Sequence, residues 1–379
     1  MGSGTVTESR PPSGQPRLVS LDVLRGLTVA GMVLVNNPGT WSAIYAPLRH
    51  AAWHGWTPTD MVFPFFVFIV GVAIPIALGP RLERTGQTGA LGRVVRRSAI
   101  IFGLGLLLQA LPSFDWATLR IPGVLQRIAL CYLAAGALFL LTSWRTQALV
   151  TAGLLLGYWA VMTLVPVPGY GEGDLSQAGN LAAYLDRVIL GQAHIWRVSR
   201  VYDPEGILST LPAIATALLG VLTGQWLRRQ PTTAATAARL ALAGLLCAVV
   251  GQIWGAWFPV NKSLWTSSYV MLMAGLALIT LALCYWLIEV QGYRRWATPF
   301  VAFGVNALAL YFLSSAVAQM LVTIRAGLEN ASLKSLLFNW LFAPWASPIN
   351  ASLAYACAYL LLWWGFMWVL YRQRIVVRV

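Results

Sequence analysis

The sequence predicts an all-α, polytopic membrane helix bundle of about ten transmembrane helices, with both termini cytoplasmic. Three observations carry this reading. Hydrophobic residues make up 58% of the 379 positions, and the mean hydropathy is +0.68. Charged residues contribute only 10%, against about 25% in a water-soluble domain. Apolar runs also recur at membrane-crossing length, since a helix needs about 20 such residues to span a hydrocarbon core of about 30 Å.

In chain order, residues 1–17 are polar and rich in Pro, Gly and Ser, and are expected to be a disordered tail. Residues 18–379 read as one transmembrane domain with spans at 18–36, 58–79, 98–111, 122–142, 146–166, 206–226, 240–257, 266–288, 299–321 and 351–371. The second span has a defined start: Thr57 suits an N-cap, Pro58 the first helical position and Asp60 the first turn. The third span is short and is expected to extend backward through Val94 and Val95, with Arg96 and Arg97 snorkelling. In the sixth, Gly220 and Gly224 form a GxxxG helix-packing face. Segment 180–193 reads as an interfacial amphipathic helix.

The formal charge of +14 does not indicate nucleic-acid binding, because the basic residues sit at the ends of apolar runs rather than in one patch. Placing the N-terminus inside puts sixteen of the 26 Lys and Arg on the cytoplasmic side and eight outside, Arg25 and Arg127 falling within spans. That asymmetry sets the orientation. The four cysteines (Cys131, Cys247, Cys284, Cys357) lie singly in apolar runs, so neither disulfides nor a thiolate metal site is expected.

Ionisable groups at membrane depth cost roughly 2.5–3.5 kcal/mol each and are candidates for function. Asp22 and Arg25, three apart at the inner end of span 1, can pair on one helix face. A structural ion pair explains them as well as a site for an anionic ligand does. The outer loop before span 2 holds His50 and His54, two of only three histidines in the chain. Imidazole is the side chain suited to proton transfer near neutral pH. Two imidazoles with Asp60 could also hold a metal, but no helix is indicated through 50–54, and no metal is expected. Arg127 lies more than a turn inside span 4 beside Gln126 and needs a partner, for which Asp60 is one choice. Before spans 6 and 8, Asp203 and Glu205, then Asn261, Lys262 and Trp265, place polar groups on the outer rim. These suit a sugar or amine acceptor; a solvated rim explains them equally.

The blocks Ser20–Gly26, Val35-Asn36, His50-Ala51-Ala52-Trp53, Thr57, Asp60 and Val62–Phe66 resemble the heparan-α-glucosaminide N-acetyltransferase family. So do, in order, segments 120–128, 202–208 and 261–265, and Asn306. The resemblance implies a transmembrane acyltransferase using cytosolic acetyl-CoA, with His50 at the position of the functional histidine and Asn36 close to it. Two departures, no counterpart of an N-terminal luminal domain and His54 where the lysosomal enzyme has asparagine, imply a bacterial-type relative of the inner (cytoplasmic) membrane with an undefined acceptor. Homodimers occur in the family.

On this reading an acyl group, most simply acetyl, passes from cytoplasmic acyl-CoA to an amino or hydroxyl group of a sugar or glycan outside. His50 serves as general base or acyl acceptor, with Asn36 and Asp60 supporting it. Arg25, Arg93, Arg96, Arg97 and Arg127 would serve the donor, and Trp53, His54, Asp203, Glu205, Asn261, Lys262 and Trp265 the acceptor. A transporter or flippase for a small polar solute would bury similar charges and is the rival reading.

Overall fold

A computed structural model describes residues 18–111, 113–326 and 330–377; the expected tail at 1–17 lies outside the described residues. The chain forms helices α1 (Val19–Asn36), α2 (Val62–Ala110), α3 (Val124–Leu141), α4 (Trp144–Leu164), α5 (Leu181–Ile189), α6 (Thr210–Leu227), α7 (Ala234–Trp254), α8 (Ser267–Tyr285), α9 (Thr298–Val305), α10 (Ala307–Thr323), α11 (Leu333–Leu341) and α12 (Pro348–Arg372). Among the described residues eight helices are long and apolar enough to cross a membrane, or nine if α9 and α10 form one bent span. The protein is therefore an all-α membrane bundle. Paired strands among the described residues amount to a two-residue ladder, Arg325–Ala326 with Ala331–Ser332.

Three expected spans have a different shape. The second and third are legs of one long helical run, α2, broken at Gly86 (φ 66°, ψ 178°). That left-handed φ is open to glycine at no steric cost, so the chain reverses there without a conventional loop. The second leg carries Arg93, Arg96 and Arg97 on its surface, with Val94 buried. The ninth span is bent by 67° between α9 and α10, at Asn306 (φ −116°, ψ 32°). Asn306 is buried, and its side-chain amide donates to Ile375 O at 3.0 Å and accepts from Val377 N at 2.9 Å. The segment after α12 thus turns back to satisfy the break.

Close helix crossings depend on glycine. The GxxxG pair packs on α2: a Cβ at Gly220 would lie 2.2 Å from Phe68 O, and one at Gly224 2.5 Å from Val72 O. We expect Gly220→Ala to part α2 from α6, costing about 1–3 kcal/mol as overpacking does; a thermal-melt comparison in detergent checks this, and an unchanged melt contradicts the packing.

At one end of the bundle the loops before α2, α3, α6 and α8 interlock. Gly55 N donates to Val260 O at 2.7 Å, Ile121 N to His194 O at 3.0 Å, and the Trp53 indole to Leu175 O at 2.8 Å. At the other end Ser20 N donates to Glu289 Oε1 at 2.9 Å, and the Asn306 break clasps the chain's last described residues. Both described termini therefore lie at this end of the bundle.

Candidate active site

The site grows from the loop between α1 and α2. Pro58 opens a 3-10 turn, Pro58–Met61, that runs into α2, and Thr57 and Asp60 form the reciprocal capping box at its start. This is the helix start read from the sequence. Its consequence is that Asp60, 1% exposed, is fixed by donors. Oδ2 accepts from Thr57 N at 3.0 Å, Thr57 Oγ1 at 3.1 Å and Ala51 N at 3.1 Å. Oδ1 is left for His50 Nδ1 at 2.6 Å. A carboxylate so engaged is an acceptor, so Nδ1 carries the proton and Nε2 keeps its lone pair. The His50 side chain is 42% exposed, open to the outer loop cluster.

Asp60 therefore holds His50 and not Arg127. Arg127, 1% exposed, donates through Nη2 to Gly206 O at 3.1 Å and to Ser209 Oγ, and its guanidinium stacks 5.1 Å from the Trp265 ring. Its Nε and Nη1 have no hydrogen-bond partner among the described residues. The carboxylates whose charge it feels are Glu205, Asp203 and Asp186. It stands with the loops that carry His50, at the opposite end of the bundle from Arg25.

The turn before α8 closes over His50. Lys262 Nζ lies 3.0 Å from His50 Nδ1, 3.2 Å from Nε2 and 3.6 Å from Asp60 Oδ1. Burial lowers the Lys262 pKa from the ordinary lysine range, with Asp60 and Glu205 pulling against it. Asn261 is fully buried; its Oδ1 takes Leu264 N at 2.9 Å, and its Nδ2 meets His54 Nδ1 at 3.3 Å. His54 thus turns away from His50, and burial lowers its pKa. Trp265 holds a left-handed φ of 53°, strained for a non-glycine residue. It is 1% exposed and donates to Thr216 Oγ1 at 3.1 Å, so it supports Arg127 from within the core instead of facing the loop cluster. Trp53 packs edge-on against Tyr202, with ring centroids 4.9 Å apart.

Sequence reasoning missed Arg120. Its Nε and Nη2 grip Asp203 at 2.9 and 2.6 Å, and Nη2 also reaches Glu205 at 2.5 Å. Both carboxylates raise its hold on the proton against the cost of burial. Two acids in one short turn demand a cation, and that demand was the available signal. We expect Arg120→Met to destabilise the protein by about 3–5 kcal/mol, because it strands buried carboxylates. Thermal melts of Arg120→Met and the Asp203→Asn/Glu205→Gln/Arg120→Met combination check this; the combination recovers part of the loss if stranding is the cause.

Asn36, at the last turn of α1, is exposed, and among the described residues no hydrogen bond joins it to His50. Its neighbour Asn37 is buried and donates to Val33 O at 2.8 Å. Arg25 pairs with Asp22 at 3.1 Å and reaches Gly304 O on α9 at 3.4 Å. Arg97 stands over Tyr132 on α3 at 5.0 Å, Arg93 bonds Thr85, and Arg96 is exposed. Arg25 therefore faces α9, while the three α2 arginines lie along the second leg of α2. One turn along from Asp60, Phe63 borders a small apolar void of about 10 Å³, room for about one water, lined also by Met32, Phe66, Leu125, Ile128 and Tyr311.

Residues 17–254 match the family model described as heparan-alpha-glucosaminide N-acetyltransferase, catalytic. The chain is 32% identical to the heparan-alpha-glucosaminide N-acetyltransferase of Homo sapiens, over 78% of this chain and 52% of the human protein. To that of Mus musculus it is 31% identical, over 79% and 53%. The chain thus spans about half the length of the curated relatives it matches. The matched residues include His50, Asp60, Arg120, Arg127, Asp203 and Glu205, so α1 to α7 and the capped histidine fall within shared sequence, and the chain belongs to the heparan-alpha-glucosaminide N-acetyltransferase family.

Proposed function

We propose that the protein is a membrane-embedded acetyltransferase that moves an acetyl group from acetyl-CoA, supplied at the cytoplasmic face, to the amino group of a sugar at the outer face. The observation that carries this is the His50–Asp60 pair at 2.6 Å, which turns the unprotonated Nε2 to the loop cluster, with Lys262 Nζ 3.2 Å from it. Family membership supports acetyl transfer and an amino-sugar acceptor. The arginines of α1 and α2 suit the phosphates of CoA.

In this reading Asp60 holds the imidazole as the Nδ1–H tautomer. His50 Nε2 takes the proton from the acceptor nitrogen as that nitrogen attacks the thioester carbonyl, and then gives it to the departing sulfur. A positioned base of this kind contributes typically 10²–10⁴-fold. Glu205 and Asp203, already bound by Arg120, line the acceptor side beside Trp53 and Tyr202.

The test is ligand-linked stability of the purified protein. Acetyl-CoA at 100 times its dissociation constant should stabilise it by about 2.7 kcal/mol, while the same concentration of free adenosine should not. Absence of a shift with every acyl-CoA tried would turn the reading toward solute transport.

A further inference from the structure

We propose that Lys262 is the oxyanion donor of this site, its ammonium hydrogen-bonding the acyl oxygen as negative charge develops there. The inference rests on the acetyltransfer reading above and deepens it. Attack on a thioester carbonyl needs a donor aimed about 3 Å from the oxygen that becomes charged, and this is commonly the largest single electrostatic contribution to catalysis. Asn36, which the sequence reading places in support of His50, ends α1 exposed, and among the described residues no hydrogen bond joins it to His50. Lys262 is the cation that the fold brings to the imidazole.

Its placement suits the task in three ways. First, Nζ is almost equally far from both ring nitrogens, at 3.0 and 3.2 Å. The two lone-pair axes of an imidazole diverge, so a group equidistant from both nitrogens lies on neither axis. The ammonium therefore meets Nε2 at 3.2 Å away from its lone-pair axis, a contact that the acceptor displaces as Nζ–H turns to the acyl oxygen. Second, its nearest carboxylate oxygen is Asp60 Oδ1 at 3.6 Å, beyond a good hydrogen bond, and that oxygen already holds His50. N–H groups of Lys262 remain to meet a new anion. Third, the position is preorganised. Trp265 N donates to Lys262 O at 3.1 Å, Gly55 N to Val260 O at 2.7 Å, and Asn261 Oδ1 takes Leu264 N at 2.9 Å, tying the lysine's turn to the histidine's loop. The side chain is 21% exposed, so little water competes for its charge.

The step balances as follows. As the acceptor nitrogen bonds to the carbonyl carbon, the carbonyl pair moves onto oxygen and Lys262 Nζ–H donates to it. The pair returns as the C–S bond breaks, and the acceptor's proton travels through His50 Nε2 to sulfur. Lys262 ends in its starting protonation state.

The experiment compares Lys262→Met, Lys262→Gln and His50→Ala with the full-length parent in detergent, using acetyl-CoA and glucosamine as probes. We expect both lysine variants to lose about 10²–10³ in kcat, to bind acetyl-CoA within about threefold of the parent, and to melt as it does. In a fourth variant, Lys262→Ala, we expect added ethylammonium to restore acetyl-glucosamine formation at least about tenfold, which a merely structural role would not allow. The proposal is overturned if Lys262→Met and Lys262→Gln keep more than about a third of kcat, or if their loss lies entirely in KM for the sugar. Because His50→Ala is measured alongside, the outcomes separate: an active His50→Ala would refute the base itself, whereas an inactive one beside an active Lys262→Met refutes only the oxyanion assignment.

Discussion

His50→Ala is expected to lower acetyl transfer by roughly 10²–10⁴-fold, the range a positioned general base contributes, while leaving folding and acetyl-CoA binding intact. The side chain is 42% exposed and caps nothing, so its removal opens no core cavity. What it leaves is Asp60 with Lys262 still 3.6 Å away, so the carboxylate keeps a cationic neighbour and three other donors. Kinetics with saturating acetyl-CoA, together with the melting temperature of the same sample, provide the check. A variant that turns over at more than a tenth of the parental rate contradicts the role. Trapping an acetyl group on His50 by mass spectrometry before acceptor is added would assign the same nitrogen to a covalent route; failure to trap it is expected for direct transfer.

Asp60→Asn should be nearly as severe for a different reason. The amide can keep one oxygen, and the loop's own donors compete for it: Thr57 N, Thr57 Oγ1 and Ala51 N all point at Oδ2. If oxygen stays there, the NH2 faces His50 Nδ1, which must then accept. The ring proton moves to Nε2, and the base is lost with its geometry preserved. Amide replacement of the carboxylate in a serine-protease triad costs on the order of 10⁴ through the same tautomer exchange. We expect a fall of about 10²–10⁴ in kcat, with acetyl-CoA affinity retained and a loss of stability of about 1 kcal/mol from the weakened cap. The pH profile supplies the discriminating readout, because a wrong tautomer is not recovered by raising the pH, whereas a merely more basic histidine would be displaced along the pH axis. Full activity in Asp60→Asn would show that Asp60 only caps α2.

Parts of this site were legible because they are local. The capping box, the proline at the helix start and the carboxylate in the first turn all follow from residues 57–60, and the loop that places His50 over Asp60 spans only ten residues. Span positions were legible for a similar reason, since each helix answers to the hydropathy of its own twenty residues. What escaped was of another kind. The break at Gly86 depends on one residue's φ within a run that remains helical on both sides, and the bend at Asn306 is stabilised by Ile375 and Val377, 69 and 71 residues away. Arg120 finds Asp203 across 83 residues, and Lys262 finds His50 across 212.

The sequence by itself determined that this chain belongs in a bilayer, where its second span starts, and that an imidazole and a carboxylate share that start. Hydropathy, caps and short-range hydrogen bonds act over a few residues, so they are written locally. Only the tertiary structure decided which cation meets which anion: Asp60 to His50 instead of Arg127, Arg120 to Asp203 and Glu205, Lys262 to the imidazole. Every exposed-loop charge in a strip of sequence has several partners of opposite sign. Packing selects among them, because leaving a buried charge unpaired costs several kcal/mol.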